Sequence, residues 1–327
     1  KATRCGSLLG RRSLRMQNCS LPQVSVVIPA YNAREYIGAT LESALNQDFD
    51  SFEIIVVDDG SADGTHTIVE KYCDRGVVLV RQSNAGLGAA RNRGLSIARG
   101  KFVALLDSDD LWEPDYLRTM AGFLDLNPEV SIAFPDTLFF GESKFAGRRF
   151  QEVYPPCPPI TFAKFAGRIS HVSCAATLRR EVFTRVGVFD EHMLGTEDFD
   201  LWLRALHAGC RIEPVSKVLV HYRRHASSLS SNGIVMYTSA LKALEKWRGH
   251  AGLGIEERQA VENTYLQMQF HLDVRHAVDH IHKGEYSLAR IALRRACKWR
   301  PKWRYRATQI GLAVAPGITR LALRGRS

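Results

Sequence analysis

Three carboxylates within four residues, Asp107, Asp109 and Asp110, follow the apolar run that ends at Leu106. Crowded at a strand end, such groups repel one another unless a cation lies between them. Two of them together with a diphosphate can complete the oxygen shell of Mg2+ or Mn2+. A cation so held neutralises charge on a departing nucleoside diphosphate. The plainer alternative is a solvated acidic turn that caps a helix at Trp112. A second pair, Asp58 and Asp59, follows Ile54–Val57 and can accept hydrogen bonds from a base N–H or from ribose hydroxyls. Asp63, just beyond, reads as a capping residue.

Two further segments carry candidate chemistry. Asn84-Ala85-Gly86-Leu87-Gly88 leads into a helix bearing Arg91; glycines before a helix offer backbone N–H groups, and Arg91 can face a nucleotide or be plain surface charge. This run lacks the third glycine of a dinucleotide fingerprint and follows the third strand, so that reading is rejected. Gly195-Thr196-Glu197-Asp198 opens another helix. The positive end of that helix favours an anion, and a carboxylate there can take a proton from a sugar hydroxyl. Simple N-capping is the competing reading. His221 and His225 flank Arg223-Arg224 and can face a phosphate or serve as surface cations. His276 and His280, at i and i+4, have no third ligand in view and read as an exposed helix face.

These motifs need elements to present them. Val24–Ile28, Glu53–Val57, Val77–Val80 and Lys101–Leu106 read as strands, the first ended by Pro29. Helical spacing separates them over Tyr36–Leu45, Thr65–Tyr72 and Ala89–Ala98. Strands and helices alternating at this pitch imply a parallel sheet covered on both faces, with ligands at the carboxyl ends of the strands. All four polar loops, including Pro29-Ala30-Tyr31-Asn32, should open on that one edge. From Val130 to Val188 the pattern loosens, and Tyr154–Pro159 reads as a surface loop. Glu197–Ala208 returns as a helix and Val218–Arg223 as a last strand. Beyond Ser230 the chain is helical, with amphipathic segments Glu256–His282 and Tyr286–Lys298.

The 327 residues, 45% hydrophobic and 24% charged, suit one large globular domain with an appendage. Seven cysteines, an odd number without a C-x-x-C pair, read as scattered reduced thiols of a cytoplasmic protein. The net charge of +10 is unevenly placed: residues 1–16 carry +5 and residues 281–327 carry +11, which leaves the body at −6. A nucleic-acid-binding protein more often carries a basic face on its body, so nucleic acid is not expected as a partner. Basic tails fit an anionic membrane surface. Trp299, Trp303 and Tyr305 among Arg300, Lys302, Arg304 and Arg306, continued by apolar residues towards Arg324, suggest peripheral attachment to the inner face of the cell membrane, with a terminal helix packed on the body as the competing reading. No apolar run reaches the length of a spanning helix. The chain begins with Lys, and Met16 precedes the first patterned segment; residues 1–20 are expected to be a disordered basic extension, with read-through from an upstream start as the competing reading of residues 1–15.

Val26-Val27-Ile28-Pro29-Ala30-Tyr31-Asn32, Ile54 to Thr65, Asn84 to Gly94, Leu106 to Trp112 and Glu197 to Arg204, in this order, resemble the family-2 glycosyltransferases of the GT-A fold. The resemblance spans about residues 22–225. It implies a mixed, mainly parallel α/β sheet with helices on both faces, here over 21–230, followed by a helical C-terminal region over 231–327. It implies inverting, metal-dependent transfer of a sugar from a nucleoside-diphosphate sugar to the hydroxyl of a carbohydrate or glycolipid acceptor, in cell-surface polysaccharide or glycolipid assembly. By the same resemblance Asp59 reads the base with Asp58 beside it, Asp107 and Asp109 hold Mg2+ or Mn2+, with Asp109 the direct ligand, and Asp198 is the catalytic base. Pro29, Tyr31, Asn32, Asn84, Gly86, Arg91 and Ser108 complete the expected donor site. Processive members carry a Gln-x-x-Arg-Trp segment and several spanning helices; neither is present, which argues for adding one or a few sugars.

Two other classes compete. A sugar-phosphate nucleotidyltransferase would usually carry a Gly-rich, cationic loop after its first strand, where this chain has Pro29-Ala30-Tyr31-Asn32. A helical adaptor with a degenerate sheet domain is disfavoured by the intact Asp59, Asp107, Asp109 and Asp198.

Overall fold

A computed structural model describes residues 21–226, 228–299 and 303–314; the N-terminal extension and part of the basic tail lie outside them. The strands are β1 (Val24–Ala30), β2 (Phe52–Asp59), β3 (Val77–Gln82), β4 (Phe102–Leu105), β5 (Leu111–Trp112), β6 (Val130–Gly141), β7 (Thr177–Arg179) and β8 (Arg211–Arg224). The helices are α1 (Ile37–Leu45), α2 (Thr65–Glu70), α3 (Leu87–Leu95), α4 (Tyr116–Leu126), α5 (Phe150–Val153), α6 (Phe162–Ala166), α7 (Glu181–Val186), α8 (Glu197–His207), α9 (Gly233–Glu245), α10 (Ile255–Lys283), α11 (Tyr286–Trp299) and α12 (Trp303–Val314). They fall into two compact units: one built from residues up to Thr161, Ser170–His192 and Leu201–Ala226, the other from Phe162–Ile169, Met193–Asp200 and the chain from Ser227 onward.

In the first unit the described strands form one mixed sheet in the order β3-β2-β1-β4-β7-β6-β8-β5. β3, β2, β1 and β4 run parallel, as does β6 with β8; β7 and β5 pair antiparallel with their neighbours. Strand residues alternate between faces. Val24, Val26 and Ile28 of β1 join Ile37 and Leu41 of α1 and Leu117 and Met120 of α4 in the main core. Val27 points the other way, towards Gly94 of α3, where a Cβ would lie 2.5 Å from its Cγ1. Burial on both faces explains why these strands read as unbroken apolar runs.

Three sequence expectations are corrected here. Pro29 does not end β1, which continues to Ala30 in register with Asp58. Val27 O accepts from Leu106 N on the β4 side, and β4 pairing stops at Val27, so Pro29, two residues on, needs no N–H there. Asp58 and Asp59 are the last residues of β2, not a loop after it. Trp112 does not open a helix: Leu111 and Trp112 pair with His221 and Val220, and α4 starts at Tyr116. The loosened region also contains the 12-residue strand β6, whose pattern is obscured by Pro135 and by register shifts around Asp136.

In the second unit Ala277 and Ile281 of α10, Ala289, Ala292 and Leu293 of α11 and Leu312 of α12 share an apolar cluster. Asp273 of α10 is buried and bridges two groups of α11, with the Trp299 indole N–H at 3.1 Å and Arg295 Nε at 3.0 Å. Trp299 is thus tied to α10, and α12 packs through Leu312, so part of the expected tail is a packed helix. His280 bonds Glu285 at 2.6 Å, and no metal cluster forms around it among the described residues.

Candidate functional site

The carboxyl ends of β1, β2 and β4 set the frame. Asn32, in the left-handed region at φ 48°, joins the first two loops: its Oδ1 accepts from Ala62 N at 2.9 Å, and its own N–H donates to Ser61 Oγ at 2.9 Å. Tyr31 beside it is exposed. Asp63 accepts from Thr65 N and Arg34 N, but the N-cap of α2 is Gly64, so Asp63 stands one residue before the cap position instead of at it.

The acidic pair of β2 divides its work. Asp59, 3% exposed, is saturated: Gln82 Nε2 at 2.8 Å, Ala85 N at 2.9 Å and Gly86 N at 2.9 Å all donate to it. The Asn84–Gly86 loop is thereby drawn over the end of β2. Gly60, at φ +75°, permits this, since a Cβ would stand 2.7 Å from Asn84 N. The amides of that loop therefore serve Asp59. Asp58 is fully buried; its Oδ1 accepts from Ser61 N at 3.2 Å, whereas its Oδ2 has no hydrogen bond and faces Arg81 Nε at 3.5 Å.

Around the third acidic cluster the contacts come from far along the chain. Arg91 is not surface charge: it is 1% exposed and holds Asp107 Oδ1 at 2.6 Å. Asp109 Oδ2 lies 3.0 Å from His225 Nε2, and the His225 ring packs on Tyr36 with centroids 4.7 Å apart. Arg223 donates through Nε to Asp109 O at 2.8 Å and through its backbone N–H to Asp110 Oδ1 at 2.8 Å. Its guanidinium stands over the Tyr36 and Phe140 rings. Thr40 Oγ1 reaches Ser108 O and Asp110 O, each at 2.9 Å. Burial and the Asp107 charge raise the Asp109 carboxyl above its ordinary range, against the pull of His225. Asp110, buried beside Asp109 and Asp107, is raised further. His221, by contrast, is held by Glu113 at 2.6 Å. Reading along the sequence missed Thr40 and Tyr36, which carry no local signal, and left the partners of Arg91 and His225 open.

The start of α8 belongs to the second unit. Ser239 of α9 fixes the turn before it, with Leu194 N at 3.1 Å and Thr196 Oγ1 at 2.7 Å. Glu197 and Asp200 are buried, Asp200 against Lys246 at 2.7 Å. Asp198 is half-buried, and its Oδ1 accepts from Phe199 N at 2.7 Å. Of the three acids in this turn it alone is not buried.

The family model described as Glycosyl transferase family 2 matches residues 25–187. The UDP-Glc:alpha-D-GlcNAc-diphosphoundecaprenol beta-1,3-glucosyltransferase WfaP of Escherichia coli is 30% identical over 227 residues, 68% of this chain and 86% of the relative. The putative teichuronic acid biosynthesis glycosyltransferase TuaG of Bacillus subtilis is 34% identical over 217 residues, 64% of this chain and 82% of the relative. The S. aureus TarS 1–349 structure in complex with UDP-GlcNAc superposes with a TM-score of 0.63 at 23% identity, covering 91% of this chain and 89% of that one. The mannosyltransferase PcManGT of Pyrobaculum calidifontis, in complex with GDP-Man and Mn2+, gives 0.61 at 20% identity, covering 93% and 88%. The two structural likenesses speak for the fold.

Proposed function

This chain belongs to glycosyl transferase family 2 and is a glycosyltransferase of the GT-A fold, and from that premise we propose that it transfers a sugar from a nucleoside-diphosphate sugar to a hydroxyl acceptor with inversion. The observation that carries the reading is the pair of carboxylates at the carboxyl end of β4, Asp107 held by Arg91 and Asp109 by His225, beside the ends of β1 and β2. Asp59, with Asp58 beside it, reads the base, and it also shapes the wall through the amides of Ala85 and Gly86; Asp58 Oδ2 is buried against Arg81. Pro29, Tyr31, Asn32 and Ser108 flank that space, and Arg91 acts on it through Asp107.

The donor set fits a hard divalent cation. Asp109 pairs with His225, Asp107 two residues earlier stands against Arg91, and the like charge of Asp107 raises the cost of leaving Asp109 without a cation. Among the described residues no three ligating side chains stand close enough to hold a metal alone, so donor phosphate oxygens would supply the remaining ligands. Asp109 and His225, with Asp107 behind them, would hold Mg2+ or Mn2+. When bound, such an ion offsets charge on the leaving diphosphate. On the acceptor side Asp198 removes the hydroxyl proton.

A thermal-shift panel tests the donor reading. Uridine, guanosine and thymidine diphosphate sugars are each added with Mn2+, and one of them is expected to raise Tm. A donor at about 100 times its Kd stabilises by about 2.7 kcal/mol. No rise with any of the three nucleotides would overturn it.

The acceptor named for the E. coli relative, an undecaprenyl-diphosphate-linked sugar, and the teichuronic acid biosynthesis named for the putative B. subtilis enzyme support a glycolipid or cell-surface polysaccharide acceptor. No described helix is long and apolar enough to cross a membrane. Peripheral attachment to the inner membrane face is supported by exposed Leu288 and Ile291 on the same helix as the exposed cations Arg294 and Lys298, and by exposed Ile310 on α12. Binding to anionic vesicles at low salt, weakening as salt rises, is the expected result. Equal binding to neutral and anionic vesicles, or none to either, would sink it.

A further inference from the structure

Past β6 the chain folds back on the strand it has just left. Gly141, at φ +82°, closes the end of β6 against β8; a Cβ there would stand 2.5 Å from Arg224 O. Phe139 N then donates to Arg148 O at 3.0 Å, and Gly147 N donates to Phe139 O at 2.8 Å. The buried Asp136 anchors the next turn, accepting from Gln151 N at 2.9 Å with Arg149 Nη1 3.7 Å away. Further on, Cys157 N donates to the buried Ser170 Oγ at 2.9 Å, which ties the Pro-rich loop to the segment before Cys174.

These ties gather aromatic rings into one patch. Phe139, 5% exposed, is its floor: Phe145, Phe150 and Tyr222 stand around it with centroids 5.8, 6.2 and 5.7 Å away. Tyr154 joins Phe150 at 5.3 Å and His171 at 5.2 Å. Of these six rings only Phe139 is buried; the others are half-buried. A pure packing role would close over the rings, and aliphatic side chains would fill it as well. Half-open Tyr and His rings instead couple an apolar face to a polar edge, the pairing that suits a ligand with both. A pyranose is such a ligand: its axial C–H bonds make an apolar face, and its hydroxyls ring the edge.

The patch adjoins the donor side within the same compact unit. Cys174 Sγ lies 3.8 Å from Asp107 Oδ2. His171 stands just before it in sequence, and three residues of chain span at most about 10 Å. Tyr222 precedes Arg223, which donates to Asp109 O and Asp110 Oδ1, and alternation along β8 turns Tyr222 from the face where Arg223 meets Tyr36. One strand thus presents a cation to the carboxylate turn and a ring to the aromatic patch. We propose that Tyr154 and His171 form a platform on which a pyranose ring of the acceptor stacks, on the Cys174 side of Asp107. The proposal rests on the reading of the acceptor as a carbohydrate.

The test uses Tyr154→Leu, which keeps apolar packing without the π face, Tyr154→Phe, which keeps the face, and His171→Leu. The probes are the octyl glycosides of glucose, galactose and N-acetylglucosamine, with UDP and Mg2+ present. Saturation-transfer NMR on the full chain measures their binding, and UDP affinity is measured alongside. In the wild type the ring protons of at least one glycoside should receive more saturation than its octyl chain. Tyr154→Leu should weaken that glycoside about 10-fold, the loss of an aromatic anchor, with His171→Leu weakening it less and Tyr154→Phe no more than about threefold. UDP affinity should stay within about twofold, because Asp107 and Asp109 are held by other groups, Arg91 and His225. Undiminished binding in either leucine variant, a loss in Tyr154→Phe as large as in Tyr154→Leu, saturation confined to the octyl chain, or a parallel loss of UDP affinity would overturn the platform alone. Binding of none of the three glycosides to a wild type that binds UDP would overturn the platform together with the carbohydrate-acceptor reading.

Discussion

Asp198→Asn is expected to lower turnover by about 10²- to 10⁴-fold while leaving donor affinity near that of the wild type. An acceptor hydroxyl is a poor nucleophile at neutral pH, and a carboxylate that takes its proton as the new bond forms lowers the barrier. Asparagine keeps the size of the side chain and an oxygen that can accept from Phe199 N, the contact Asp198 makes at 2.7 Å. The turn itself is secured elsewhere, by Ser239 on Thr196 and by Lys246 on Asp200. The variant should therefore fold and differ only in the base. A single in-line displacement inverts the anomeric centre, so the wild-type product should carry the opposite configuration to the donor. Wild-type turnover in the variant, or a product of retained configuration seen by NMR, would remove Asp198 from this role.

Asp109→Ala should act earlier in the reaction. Turnover is expected to fall by about 10³-fold, equivalent to roughly 4 kcal/mol of transition-state stabilisation, and donor affinity should fall with it. Mn2+ binding in the presence of UDP, followed by EPR, should be lost as well. The fold should survive. Asp109 is partly exposed, its carboxyl is raised by burial and by Asp107, and removing it relieves that repulsion. The backbone of the turn is held independently, by Arg223 on Asp109 O and by Thr40 on Ser108 O and Asp110 O. Chelation of the wild-type enzyme should reproduce the loss, and added Mn2+ should restore it. A chelated enzyme at full activity, or an Asp109→Ala variant that binds UDP and Mn2+ as the wild type does, would count decisively against this metal site. The contrast with Asp198→Asn separates the two carboxylates: one loses rate alone, the other loses rate and donor together.

Much of this molecule can be read along the chain. The β-branched runs at Val24–Ile28 and Ile54–Val57, the helical spacing after them and the acids that follow each depend on residues a few positions apart. Asp107, Asp109 and the Glu197-Asp198 turn are visible in the same way, because strand alternation and helix starts are local properties. What the chain alone leaves open is which side chain answers which. Arg91 reads equally as surface charge or as a nucleotide contact until α3 lies on β1 and buries it against Asp107, 16 residues on. His225 meets Asp109 across 116 positions, and Asn92 meets Phe189 across 97. Asp59 keeps its place in the motif, yet folding gives it three donors, Gln82, Ala85 and Gly86, and turns Asp58 Oδ2 towards Arg81. The tertiary structure also groups Phe162–Ile169 and Met193–Asp200 with the C-terminal helices, a division no continuous cut in the sequence expresses. The physical reason is the range of the forces involved. Periodicity and capping are set by neighbours within a turn or a strand, whereas the partner of a buried polar group is chosen only when closure brings distant backbone within about 3 Å and every buried donor and acceptor must be matched.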